Sequence, residues 1–74
     1  MSMNYFEEAS RDAKILAKRI SADDYKNLKT YWQNRSFFPI ASMLRRYGIE
    51  FKGLTHLESL VSELIEAKEA EAKL

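Results

Sequence analysis

The fold class of this chain is decided by residues 55–65, which read Thr-His-Leu-Glu-Ser-Leu-Val-Ser-Glu-Leu-Ile. Thr55 and Glu58 have the spacing of a capping box, in which the hydroxyl and the carboxylate each accept a backbone N–H of the first helical turn. The apolar residues recur at intervals of three and four, which places them on one helical face: Leu57, Leu60, Val61, Leu64 and Ile65. We predict a helix that begins at Thr55 and carries His56 exposed in its first turn.

Residues 66–74 continue that helix with a different composition. They are rich in Glu, Ala and Lys, which favour helix but offer little apolar surface to bury. We predict a protruding or frayed end over residues 66–74.

Two further helices are predicted before the middle of the chain. Asn4 is a predicted N-cap for a helix reaching Ile20, and Ser21 a predicted N-cap for a second helix over 22–34. A single kinked helix over both segments is the alternative. The buried faces are predicted from the same three-and-four spacing: Phe6, Ala9, Ala13, Leu16 and Ile20 in the first, and Tyr25, Leu28, Tyr31 and Trp32 in the second.

The only proline and both glycines lie between residues 39 and 53. Because proline suits the first turn of a helix and glycine suits the position after its end, we predict a short helix from Pro39 to Tyr47 that Gly48 terminates. Residues 49–53 are predicted to form a loop that places Ile49 and Phe51 in the core. The expected fold is all-α, a compact bundle of three longer helices plus one short helix in a single domain over residues 1–74.

Composition narrows the chemistry of the chain. It has 74 residues, no Cys and one His, so disulfides, thiolate zinc sites and multi-histidine sites are excluded. Glu7–Glu8 and Asp23–Asp24 are adjacent pairs, and adjacent helical residues do not face each other. There is no Gly-rich phosphate loop. We therefore expect no catalytic residue, no cofactor and no metal, and a protein that is not an enzyme.

The location and assembly of the protein are inferred from absences in its sequence. No run of apolar residues is long enough to span a membrane, and the N-terminus lacks the basic and apolar regions of a signal peptide. We expect a cytoplasmic protein that does not enter a membrane. A chain this short builds only a small core, so a homodimer through the first or the last helix remains an alternative.

Charge is unevenly distributed along the chain. Residues 26–53 carry six basic residues against Glu50 alone, whereas the segments on either side are acidic overall. A basic centre is typical of a surface that binds an anionic partner. The alternative is that the centre folds back on the acidic ends and its charge is cancelled.

A candidate partner-binding surface lies in this basic centre. Phe37 and Phe38 are adjacent, so we expect one to point inward and the other outward, where it would be an anchor for a partner. The alternative is that the two rings fasten the loop to the bundle. The predicted partner-binding residues combine these rings with nearby cations: Arg35, Phe37, Phe38, Arg45, Arg46 and Lys52. The leading hypothesis is a small regulatory protein, an adaptor or inhibitor, that docks on a larger protein.

Nucleic-acid binding is the alternative function. Residues 43–57 follow in part the apolar spacing of a helix-turn-helix motif, and the basic centre suits a phosphate backbone. However, the motif needs a small residue where its two helices touch, and that position would fall at Leu44. The turn, from Gly48 to Leu54, is also longer than the usual three or four residues.

Overall fold

The computed structural model describes residues 4–73, which form four α-helices and, within that range, no strand. The all-α prediction is confirmed. The helices are α1 (Tyr5–Arg19), α2 (Ala22–Gln33), α3 (Phe37–Arg46) and α4 (Leu54–Ala72).

The first two helices begin at their predicted N-caps. The Asn4 side chain accepts the Glu7 backbone N–H at 2.8 Å, and the Ser21 hydroxyl accepts the Asp24 N–H at 3.1 Å. Ile20 and Ser21 both have extended backbone, so the chain turns a corner between α1 and α2. Two helices therefore form, and the single kinked helix is excluded.

The helices pack as two pairs. α1 packs along α4, and the two run parallel, because Tyr5 lies against His56 near both starts while the Lys68 ammonium donates to the Ala17 carbonyl at 3.4 Å further along. α2 and α3 pack antiparallel. The end of α2 meets the start of α3 where Trp32 contacts Phe37. The start of α2 meets the end of α3 where Arg46 donates a hydrogen bond to Asp24.

The core lies between the two pairs and takes side chains from all four helices. Its fully buried large apolar side chains are Leu16, Leu28, Ile40, Leu44, Leu60, Val61 and Leu64. Several predicted core residues differ. Phe6 is 66% exposed, and these predicted core residues are only half-buried: Tyr25, Tyr31, Trp32, Phe51 and Ile65. Phe6 lies in the first turn of α1, where the nearby face of α4 presents Ser59 and Ser62, which are too short to cover the ring.

The predicted start of α3 was wrong by two residues and its predicted last residue by one, whereas Gly48 is confirmed as the residue that terminates it. α3 begins at Phe37, so Pro39 is its third residue. This is tolerated because the N–H groups of a first turn have no intrahelical partner to lose. At the other end Gly48 has φ +76°, and the Ile49 N–H donates to the Leu44 carbonyl at 3.0 Å. This is a Schellman motif, and it places Ile49 in the core.

The predicted capping box of α4 was wrong. α4 begins at Leu54 with Gly53 (φ +100°) as its N-cap, and no side chain caps it. His56, predicted to be exposed, is 2% exposed. Its Nδ1 accepts the Lys52 backbone N–H at 2.8 Å, and its ring stacks on Tyr5 with centroids 5.4 Å apart. The imidazole is thus packed between α1 and the preceding loop, although its Nε2 is buried without a hydrogen-bond partner among the described residues.

The last helix continues to Ala72, and residues 69–73 are exposed. Lys68 lies partly buried over α1 and pairs with Glu71 at 3.4 Å. Leu74, the last residue of the predicted frayed end, lies outside the described residues. The loop over residues 49–53 places Ile49 in the core and leaves Phe51 half-buried against it.

Candidate interaction surface

The two adjacent phenylalanines of α3 divide their roles. Successive residues of a helix point about 100° apart, so both rings cannot face the same way. Phe37 turns inward and meets Trp32 edge-on, with ring centroids 6.3 Å apart and planes inclined by 73°. Phe38 turns outward and is 82% exposed, the highest value among the large apolar residues that remain exposed. Phe37 therefore packs within the fold, whereas the Phe38 ring is left exposed to water.

α3 presents one exposed face that carries the aromatic ring together with two arginines. Phe38, Ser42, Arg45 and Arg46 are all exposed. Their spacing of four, three and one residues keeps them on one side of a helix. We call these four residues the α3 face. It unites three of the six residues predicted from the sequence to bind a partner.

A shallow groove of about 450 Å³ runs beside the α3 face, between α2 and α3. Its apolar lining is supplied by Phe38, Pro39 and Met43, and its polar lining includes Asp24 and Arg46. An apolar side chain of a partner could enter this groove while its backbone or a carboxylate meets the arginine.

Two of the predicted cations are neutralised within the fold. Arg46 pairs with Asp24 at 3.1 Å, and Lys52 pairs with Glu8 at 3.1 Å. The acidic ends therefore cancel part of the basic centre, as the alternative interpretation of the charge pattern predicted. Lys52 also lies in a different groove from Phe38, beside α1, so the structure does not bring it to the α3 face.

The other two cations lie over aromatic rings. The guanidinium carbon of Arg45 is 5.5 Å from the Phe51 ring centroid, and that of Arg35 is 4.5 Å from the Trp32 centroid. Neither arginine has a carboxylate within ion-pair distance among residues 4–73. Their charges therefore remain available to an anionic partner, Arg45 on the α3 face and Arg35 at the corner before α3.

Arg35 has an unusual backbone conformation. Its φ is +55°, the left-handed region that glycine usually occupies after a helix. The Ser36 N–H donates to the Tyr31 carbonyl at 2.8 Å, which closes the end of α2 in the same way that Gly48 closes α3. An arginine here carries a conformational cost that its stacking on Trp32 offsets in part.

Asp24 of α2 is the carboxylate that joins α2 to the end of α3. Its carboxylate accepts hydrogen bonds from the Tyr47 hydroxyl and from Arg46. The hydrogen bond from Tyr47, followed by the one from Arg46 and that residue's charge, lowers the pKa of Asp24 below its ordinary value against an opposing desolvation effect. Asp24 therefore stays ionised and holds Arg46 at the edge of the groove.

Comparison with models of protein families, with curated proteins and with solved structures gives no match for this chain. Within residues 4–73, no helix has the length and hydropathy needed to cross a membrane. Over the same range, no three histidine or carboxylate side chains come together as they would around a metal ion.

Sequence patterns did not point to a second groove on the molecule. It has a volume of about 410 Å³ and is lined by Phe6, Trp32, Glu58, Ser59, Ser62 and Glu63. The sequence pattern assigned both aromatic residues to the core and Glu58 to a capping box. The signal that could have revealed the groove is the pair of serines on α4, because two small residues one turn apart leave a gap beside a helix.

Proposed function

We propose that this protein is a small non-enzymatic regulator, an adaptor or inhibitor, that docks on a larger protein through the α3 face. The observation that carries the proposal is the 82% exposure of Phe38 on a helix that buries its opposite side. A phenylalanine this exposed adds nothing to the core, whereas an aromatic side chain that fills a partner's pocket is a common source of binding energy.

The charges beside Phe38 indicate what the partner presents. Arg45 lies on the same side of α3, stacked on Phe51 and without a carboxylate partner among the described residues. Arg46 is held by Asp24 at the groove edge. The matching surface would have an apolar pocket for Phe38 and acidic residues around it, because charge complementarity speeds encounter and selects partners.

Nucleic-acid binding is the second candidate function, favoured by the exposed charge of Arg45. Two observations count against it. The connection from α3 to α4 spans residues 47–53, longer than a helix-turn-helix turn, and Lys52 and Arg46 are already paired with carboxylates. Of the four predicted cations, only Arg35 and Arg45 would then be left to bind phosphates.

The test is capture of partners from a native lysate on immobilised protein, with and without nuclease, comparing wild type with Phe38→Ala. We expect one stoichiometric protein that survives nuclease and is lost with Phe38→Ala. Arg45→Glu should also weaken its capture. Loss of all partners after nuclease would instead support nucleic-acid binding, whose affinity falls steeply with salt.

A matched control is available on α1. Ile15 is also an exposed apolar side chain, at 49%, but lies far from α3 in sequence and outside the grooves described above. Ile15→Ala should retain the partner. Equal loss with Ile15→Ala and Phe38→Ala would show that the capture is nonspecific adhesion to apolar surface, and the proposal would fail.

A further inference from the structure

The second groove has a chemical character opposite to that of the α3 face. Phe6 and Trp32 contribute aromatic surface from α1 and α2, and Glu58 and Glu63 contribute carboxylates from α4. The charges that α4 contributes to this groove are therefore negative, whereas those on the α3 face are positive. The Arg35 guanidinium also lies near the groove, 4.5 Å from the Trp32 ring centroid.

The carboxylates of this groove are not used within the fold. Among residues 4–73, no Lys, Arg or His group lies within ion-pair distance of Glu58 or Glu63. Glu8 and Asp24, in contrast, are each engaged by a cation. Two unpaired carboxylates next to aromatic surface form an environment that attracts a cation.

The aromatic surface is also open to a partner. Phe6 is 66% exposed, and Trp32 is half-buried, with Phe37 against its edge and Arg35 over its ring. Ser59 and Ser62 line the groove on the α4 side between the two carboxylates, and their short side chains leave space above the helix. The groove therefore offers the exposed Phe6 ring to the stem of a long side chain, and carboxylates to its tip.

We propose that this groove binds a lysine or arginine side chain from an extended basic segment of a protein partner. The methylene stem would lie on Phe6 and Trp32, and the charged group would meet Glu58 and Glu63. Lysine and arginine suit such a site because an apolar stem leads to a cationic head, and cations are attracted to aromatic faces. A nucleic acid or an acidic peptide would be repelled by the same two carboxylates.

This inference concerns a different surface from the α3 face and does not depend on it. If both hold, the chain contacts its surroundings at two places of opposite charge, as an adaptor would. Phe38→Ala should leave the groove intact, since Phe38 does not line it.

The experiment is selection of random linear peptides displayed on phage against the full chain, followed by solution titration of the selected peptide. Trp32 is the only tryptophan, so its fluorescence reports on binding at the groove. We expect the selected peptides to share a lysine or arginine next to an apolar residue. Replacement of Glu58 and Glu63 by Gln should weaken the peptide about tenfold or more, the range seen when one partner of a close charge pair is removed.

Three controls make the outcome decisive. Glu66→Gln, an exposed change on α4 outside the groove, and Phe38→Ala should both bind the peptide as wild type does. Glutamine favours helix about as well as glutamate, so the variants should fold, which circular dichroism checks. Sedimentation of the protein alone tests whether a second copy occupies the groove.

Several results would overturn the proposal. These are recovery of no peptide, a consensus without a cation, equal binding to wild type and to the Glu58→Gln, Glu63→Gln double variant, or a dimer that this double variant abolishes. If Phe38→Ala alone abolished binding, the peptide would be occupying the α3 face, and the groove would carry no function.

Discussion

The Tyr47 hydroxyl donates a hydrogen bond to the Asp24 carboxylate, which ties the end of α3 to the first turn of α2. The same hydroxyl accepts the Ser21 backbone N–H at 3.2 Å, and Arg46 donates to Asp24 at 3.1 Å. These bonds place α3 against α2 and so set the position of the α3 face. The phenol thereby joins two helices that only one short corner connects in sequence.

Acid should weaken this contact in a defined direction. Because the pKa of Asp24 is lowered in the folded protein, its contribution to stability is complete above the unfolded value of 3.8 and is lost as pH falls below it. We expect Asp24→Asn to be less stable than wild type near neutral pH, with the difference shrinking below that value. Urea unfolding at a series of pH values measures it. A difference that stayed constant or grew in acid would contradict the lowered pKa.

Arg35 should be a position where glycine is tolerated better than alanine. Its φ of +55° strains any residue with a Cβ, at a cost of about 1 kcal/mol. Arg35→Ala and Arg35→Gly both lose the stacking on Trp32, so the difference in stability between them reports the cost of a Cβ at this backbone conformation. We expect Arg35→Gly to be more stable than Arg35→Ala by about 1 kcal/mol in chemical denaturation. Equal stability would show that the corner relaxes to another conformation.

His56 should behave as a core residue. His56→Ala removes a buried ring, its stacking on Tyr5 and the acceptor of the Lys52 N–H. We expect a loss of about 2 kcal/mol or more in the free energy of unfolding. Glu66→Ala, an exposed change on the same helix, should stay within about 0.5 kcal/mol of wild type. A small effect of His56→Ala would restore the interpretation of His56 as an exposed first-turn residue.

The two phenylalanines of α3 should separate stability from binding. Phe37→Ala removes the edge-on contact with Trp32 and should cost about 2 kcal/mol, whereas Phe38→Ala should change stability by less than about 0.5 kcal/mol. Thermal melts of the two variants give this comparison. Equivalent melting temperatures, or greater destabilisation by Phe38→Ala, would reverse the assignment of the packing and anchor roles.

The existence of the helices was predictable because short-range patterns encode it. The caps at Asn4 and Ser21 and the stop at Gly48 depend on residues within four positions of one another, and all three formed as predicted. The capping box at Thr55 did not form although its pattern was as clear: the helix begins one residue earlier, and His56 is buried against Tyr5 instead of being exposed in the first turn.

The candidate surface was predictable only in part. Adjacency in the chain was enough to predict that Phe37 and Phe38 would face different ways. That both belong to α3, whose spacing places Arg45 and Arg46 beside Phe38, is known only from the structure, because the predicted helix began at Pro39. Lys52 could not be assigned in this way, because its partner Glu8 lies 44 positions earlier in the chain. The second groove was missed for the same reason, since its residues come from three helices.

The amino-acid sequence by itself determined that the chain is all-α and where its first two helices begin, because hydrogen bonds and apolar periodicity within a helix are local. Only the tertiary structure decided that α1 and α4 run side by side, which rings stay in water and which charges find partners. Those outcomes depend on the distance between residues far apart in the chain, and burial and pairing are gained only when two separate helices come into contact.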